Sequence, residues 1–226
     1  MAMSLPLLVF TDLDGTLLSH SSYRWDAATP ALDTLRKIGA AVVLASSKTA
    51  PEIAEIRAEL AWDHCPAIIE NGAGILPPDS TDMPKTDSYV RLRHALDSLP
   101  AELRDPFCGF GDMTVAQIAQ ITGLSHNDAA NAAERAFSEP GIWSGSAELR
   151  GAFIDALHDH GIHAREGGRF LTLSYGRTKA DQMAALTDAF APRHTLALGD
   201  APNDIEMLQA ADFGVIVANP HRDPLP

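Results

Sequence analysis

The residues best able to do chemistry in this chain are carboxylates set close together. Asp12 and Asp14 stand in VFTDLDGTLL, where an apolar run breaks, and Asp200 and Asp204 stand in GDAPND. Side-chain alternation in an extended strand puts positions two apart on the same side, so Asp12 and Asp14 can converge on one centre. Two like charges that close call for a cation or a shared proton. Oxygen ligands with no His or Cys among them describe a hard cation, most simply Mg2+. An Asp-Gly pair can equally do no more than turn a chain, with its acids solvated. Repetition favours a site: Asp12 and Asp14, then Ser46, Asn71 and Asp200 each follow a run that reads as a core strand.

Those runs define the elements that must position the polar residues. LPLLVFTDL and AAVVLASS are apolar and β-branched enough to be strands buried on both faces, and PAIIENGAGI gives a third strand and a turn. Helical patterns separate them. Thr29 and Pro30 mark the start of the first helix and Gly39 its end, while Thr49 and Glu52 have the spacing of a capping box ahead of the second. This β-α-β-α-β order predicts a parallel, Rossmann-like sheet. The grammar returns in the helix TKADQMAALTDAFA, the strand HTLALGD, the helix NDIEMLQAA and FGVIVA, which reads as a last buried strand. Between the two halves, from LPPDSTDMPK to about Tyr175, the pattern changes to helices and short strands. The expected organisation is α/β, with a core of residues 1–82 and 177–226 and an inserted α/β cap at 83–176. Parallel sheets bind ligands at the carboxyl ends of their strands, where these polar motifs fall.

Composition narrows the classes. A chain of 226 residues, 46% hydrophobic, can bury the core of one large domain or two unequal ones. No apolar stretch approaches the roughly 20 residues of a membrane helix, and MAMSLPLLVF has neither the basic region nor the cleavage pattern of a secretory signal. A cytoplasmic protein is expected. Cys65 and Cys108 have neither disulfide-framework nor zinc spacing and read as ordinary buried thiols. Thirty acidic residues against 17 basic give a formal charge of −13, which opposes nucleic acid and anionic membranes at long range.

In DLDGT (12 to 16), Ser46, Lys179 and GDAPND (199 to 204), the sequence resembles the haloacid dehalogenase superfamily of phosphotransferases. Through SSKT (46 to 49), ENGAGI (70 to 75), SEP (138 to 140), GGRF (167 to 170) and GDAPND, it is similar over essentially its whole length to the mannosyl-3-phosphoglycerate phosphatase family. The resemblance implies that Asp12 is the nucleophile and Asp14 the acid/base. It implies that Ser46 and Lys179 hold the transferring phosphoryl group, and that Asp12, the main-chain carbonyl of Asp14, and Asp200 bind Mg2+, with Asp204 beside them in the metal set. Residue chemistry agrees. A carboxylate can take a phosphoryl group as an acyl phosphate, and a lysine at a helix start is mildly unfavourable unless an anion sits beside it.

Substrates of that family carry a phosphate, a carboxylate and a hexose. Lys48 and Arg169 could pair with the anionic groups, Glu139 could accept from sugar hydroxyls, and Asn71 lies at the active edge. The activity implied is Mg2+-dependent hydrolysis of a small phosphorylated sugar-acid, with mannosyl-3-phosphoglycerate the best single substrate, through an aspartyl phosphate. A related sugar phosphatase or a phosphotransferase are the alternatives. From another class, VAQIAQITGLSHNDAANAAERA (115 to 136) has the outline of a DNA-binding helix-turn-helix, which would make the chain a regulator. Its second helix sets one Arg against an Asp and a Glu, which speaks against phosphate contact and for a helical hairpin in the cap. The expected partner is thus a small phosphorylated substrate, with no nucleic acid and no membrane, and no motif sets an oligomeric state.

Overall fold

The computed structural model of the protein describes residues 5–19, 23–82, 85–167, 169–220 and 225. Residues 83–84, where the insertion is expected to begin, and Gly168 of the GGRF motif lie outside them. The chain forms two compact units, one of Met1–Ser47, Ile53–Ser80 and Thr178–Pro226, the other of Lys48–Glu52 and Thr81–Arg177.

The first unit begins with β1 (Leu8–Thr11), every residue of which is buried, as a run without polar alternation requires. A 3-10 turn over Asp26–Ala28 then leads into α1 (Thr29–Lys37), so the N-cap is Ala28 and Pro30 sits one position later than expected. Gly39 follows the helix at φ +70°, and β2 (Ala41–Ala45) is again wholly buried. Helix α2 (Ala50–Glu59) starts as the capping box predicts on one side, Glu52 accepting from the Thr49 N–H at 2.9 Å. The short β3 (Ala67–Ile69) turns back through Glu70–Gly72 into β4 (Gly74–Leu76), an antiparallel strand the sequence reading had folded into a turn.

The second unit carries α3 (Ser88–Asp97), α4 (Ala101–Arg104), β5 (Phe107–Gly109), α5 (Val115–Thr122), α6 (His126–Ala133), β6 (Ser138–Trp143), α7 (Ala147–His158), β7 (His163–Gly167) and β8 (Phe170–Ser174). Its four-stranded sheet is antiparallel throughout, in the order β5-β6-β8-β7. Leu92, Leu96, Phe107, Phe153, Leu157 and Leu173 form its main core. The helix-turn-helix outline of residues 115 to 136 is α5 and α6, joined through Gly123 in the left-handed region and packed on their own small core of Ile118, Ala129 and Phe110. Cys65 is buried, but Cys108 is exposed, because β5 is an edge strand with one face outward.

The chain then returns to the first unit with α8 (Lys179–Phe190), β9 (Thr195–Gly199), α9 (Ile205–Ala210) and β10 (Phe213–Ile216). The six-stranded sheet runs β10-β9-β1-β2-β3-β4, parallel except for β4. Strand β10 corrects the sequence reading. It forms as expected, yet all four of its residues are exposed, because it is the sheet's edge and composition does not say where in a sheet a strand lies.

Topology places the polar motifs. From β1 the chain first steps to β2 and β3 on one side and later to β9 and β10 on the other, so the sheet order reverses at β1. Thr11 pairs with Leu44 and with Leu198, so Asp12, Ser46 and Asp200 follow within two residues of one level. Ligands of open parallel sheets bind at that reversal, beyond the carboxyl ends.

One contact holds the start of α8 in place. At Gly72, where φ is +96°, a Cβ would lie 2.0 Å from the Thr178 carbonyl carbon and 2.3 Å from the Lys179 nitrogen. Gly72 also accepts from Gln182 Nε2 at 2.9 Å. Gly72→Ala should therefore cost at least about 2 kcal/mol from overpacking and backbone strain. Gly161→Ala, where nothing lies within 4 Å, is the comparison. Chemical denaturation of both variants checks this, and equal losses would contradict it.

Candidate active site

The site is built around a buried lysine. Lys179 is the first residue of α8, whose N-cap is Thr178: the Thr178 hydroxyl accepts from the Asp181 N–H and the Asp181 carboxylate accepts from the Thr178 N–H. The side chain runs inward and is 2% exposed as a residue. Its ammonium donates to Asp12 Oδ1 at 2.6 Å and to Asp204 Oδ1 at 2.7 Å. Burial opposes a charged lysine, yet the two carboxylates outweigh it and hold the ammonium's pKa above its ordinary value.

Asp204 faces two ways. Its other oxygen, Oδ2, accepts from the main-chain N–H groups of Asp200 and Ala201 at 3.2 and 3.1 Å. It therefore ties the turn after β9 to Lys179. Asp200 is 3% exposed, and its oxygens accept from the Thr16 hydroxyl at 3.0 Å and from Asn219 Nδ2 at 2.6 Å. Carboxylate oxygens of Asp12, Asp200 and Asp204 all lie within 4.8 Å of one another.

Asp14 is placed differently from the sequence expectation. Strand β1 ends at Thr11, so Asp12 to Asp14 form a turn and strand alternation does not align them. Asp14 is half-buried and bridges to Leu18 through its backbone, and the tight trio of carboxylates does not include it. Its charge still reaches Asp12. Burial, more than any neighbour, pushes the Asp12 carboxyl up to about 6; Lys179 opposes the shift, and Asp204 and Asp14 add to it.

Ser46 directly follows β2, 1% exposed, and its carbonyl accepts from the Asn71 N–H at 2.8 Å. Asn71 has φ 58° and ψ 32°, a left-handed conformation that Asn tolerates, and its Oδ1 accepts from Asn203 Nδ2 at 3.1 Å. Thus the turns after β2, β3 and β9 are joined around the carboxylates.

The remaining sequence candidates lie in the second unit, each described there by its own contacts. Lys48 stands 4.0 Å from Glu52 Oε1. Arg169 is exposed beside the β7–β8 turn; it donates to the Ile121 carbonyl and lies 5.8 Å over the Phe170 ring. Glu139 does not match its expected part. It is fully buried, with the Tyr89 hydroxyl, Arg93 Nη1 (3.1 Å) and the Gly111 N–H (2.8 Å) donating to it. Burial raises its pKa, and these donors hold the shift down. A sugar hydroxyl would have to displace them. The sequence signal for this interior role is Tyr89 and Arg93, one helical turn apart on α3 and both donating to the Glu139 carboxylate. Thr16, Gln182 and Asn219 also received no role. Thr16 and Gln182 sit within three or four residues of Asp12 and Lys179, but Asn219 carries no local pattern that points to Asp200.

Comparison with known proteins places the chain in a family. Residues 9–93 and 167–223 match the family model described as haloacid dehalogenase-like hydrolase. A "glucosyl-3-phosphoglycerate/mannosyl-3-phosphoglycerate phosphatase" of Methanococcoides burtonii is 32% identical over 94% of this chain and 85% of its own length. Among solved structures, a phosphatase of the haloalkanoate superfamily from Bacteroides thetaiotaomicron is similar in fold, with a TM-score of 0.68 and 23% identity over 94% of this chain and 84% of that one. A subclass IIB sugar phosphatase matches with a TM-score of 0.61 and 19% identity over 90% of this chain and 84% of that one.

The raised Asp12 pKa has a measurable sign. Folding disfavours the ionised carboxylate, so the destabilisation is absent below the ordinary pKa of 3.8, grows between 3.8 and about 6, and is complete above 6. In chelator, Asp12→Asn should therefore be more stable than the parent at pH 8, on the order of 2 kcal/mol, with the advantage gone near pH 4. Thermal melts across that range check this, and a variant less stable at pH 8 would contradict it.

Proposed function

Because the chain belongs to the haloacid dehalogenase-like hydrolases and is a phosphoric monoester hydrolase, we propose that its substrate is a small phosphorylated sugar-acid, glucosyl- or mannosyl-3-phosphoglycerate. We further propose that the reaction uses Mg2+ and passes through a phosphorylated Asp12. The observation that carries the chemistry is the enclosed ion set, in which Lys179 lies between Asp12 and Asp204 with Asp200 beside them. The substrate class is supported by the name of the Methanococcoides burtonii relative.

The donor set fits a hard divalent cation, since all three clustered groups are carboxylates and negative charge exceeds positive. Asp204 already accepts from Lys179 and two main-chain N–H groups, so Asp12 and Asp200 would be the side chains that hold the ion. When bound, Mg2+ supplies the charge that lets a phosphate anion approach a carboxylate. Asp12 attacks phosphorus and becomes an acyl phosphate. Lys179, fixed 2.6 Å from Asp12 Oδ1, keeps a positive charge beside the oxygens of the moving phosphoryl group, and Ser46 at the end of β2 offers a hydroxyl to them. Asp14 gives a proton to the departing alkoxide, then takes one from the water that cleaves the acyl phosphate.

Recognition of the substrate carboxylate falls in this reading to Lys48 and Arg169, while Glu139 serves the interior of its own unit. Phosphate release should be well above that from p-nitrophenyl phosphate when glucosyl- or mannosyl-3-phosphoglycerate is supplied with Mg2+. Arg169→Ala should lower kcat/KM for the carboxylate-bearing substrate about tenfold or more beyond its effect on the aryl phosphate, the worth of one charged hydrogen bond. Equal losses would remove Arg169 from recognition, and no release from either glycerate would overturn the substrate assignment.

A further inference from the structure

Asp200 is gripped from two distant parts of the chain. Thr16, in the turn after β1, donates its hydroxyl to Oδ1 at 3.0 Å, and Asn219, beyond β10, donates Nδ2 to Oδ2 at 2.6 Å. The turn closes over the second contact. A Cβ on Gly15, where φ is +94°, would lie 2.8 Å from Asp200 Oδ2 and 2.9 Å from Asn219 Nδ2, so a side chain there would strain the turn and displace the pair.

Strand β10 delivers Asn219. Ile216 is level with Gly199, and Val217 N–H donates to the Gly199 carbonyl at 2.9 Å, which sets the chain on course for Asn219 to meet Asp200 two residues later. Phe213, Val215 and Ile216 are 57%, 43% and 52% exposed as residues, so burial gives little reason for this strand's register. Its pairing with β9, which carries the chain beyond it to Asn219, gives a better one.

We propose that Asn219 is a positioning residue of the metal site: together with Thr16 it fixes the orientation in which Asp200 meets the cation. This rests on the reading of Asp200 as a metal ligand. A carboxylate oxygen has more than one lone-pair direction, so a donor on each oxygen holds the group still while leaving directions for an ion. An amide donor adds no competing charge. Such outer hydrogen bonds set the affinity of the ligands they hold, and their loss costs about 10–100-fold in metal binding.

The test is calorimetric titration of the full chain with Mg2+ alone. Asn219→Ala should bind Mg2+ about 10–100-fold more weakly than the parent, while its melting temperature in chelator falls only by the few degrees that one lost hydrogen bond accounts for. In the assay, the Mg2+ concentration for half-activity should rise while kcat at saturating Mg2+ stays close to the parent's. Asn219→Ser, too short to reach Asp200 in the same way, should shift binding in the same direction and serves if the alanine variant folds poorly. Val215→Thr, exposed on the same strand, should leave Mg2+ affinity where it was. Parent binding Mg2+ and Asn219→Ala matching it within about twofold would overturn the assignment of Asn219 alone. So would an equal loss in Val215→Thr, which would mean only a loosened edge strand. A parent that binds no Mg2+ would overturn the metal reading of Asp200 and this inference with it.

Discussion

Everything in the first unit's active edge depends on one buried ammonium shared by two carboxylates. Removing three charged groups from water is costly, and such sets are commonly no more stable than apolar residues of the same volume. Lys179 between Asp12 and Asp204 is therefore poorly explained as a device for stability. It is well explained as chemistry. Burial holds the Asp12 carboxyl above its ordinary pKa with a positive charge beside it, and groups so perturbed gather at sites where protons and anions are handled.

That constraint reaches outward through the fold. Lys179 can enter only because α8 begins where Thr178 caps it, and α8 can begin there only because Gly72 has no side chain to strike Thr178. Asp204 can meet Lys179 because the turn after β9 wraps its own N–H groups around Asp204 Oδ2. Reversal of the sheet order at β1 then sets Asp12 beside the end of β9. Helix cap, glycine and strand order serve one cluster only a few ångströms across.

Much of this was legible in the sequence. The apolar runs of β1 and β2 lack polar alternation, so they had to be buried on both faces, and the α/β class with a parallel sheet followed from their spacing with the helices. The site's acids were legible because each follows such a run, and Lys179 because a cation at a helix start needs an anion. Other features had no local signal. FGVIVA looks like a core strand, and only its place at the sheet edge exposes it. Asp14 looked aligned with Asp12 because nothing local shows that β1 stops at Thr11. Glu139 reads as an acceptor for sugar hydroxyls, since its burial depends on Tyr89 and Arg93 from α3, distant in sequence. Asn219 meets Asp200 through strand pairing alone, a relation between residues 19 positions apart with no periodicity to announce it.

The central claim is that Asp12, held by Lys179, takes the phosphoryl group itself. Loss of activity in Asp12→Asn cannot decide this, because a water-attack mechanism would lose activity as well. Rapid acid quench during turnover of a phosphate-labelled substrate, followed by peptide mapping, asks directly whether phosphate is ever bonded to the chain. Label is expected on the peptide carrying Asp12, released by mild base as an acyl phosphate is, and absent in Asp12→Asn. Full turnover with no protein-bound label at any quench time, or label on another residue, would contradict it.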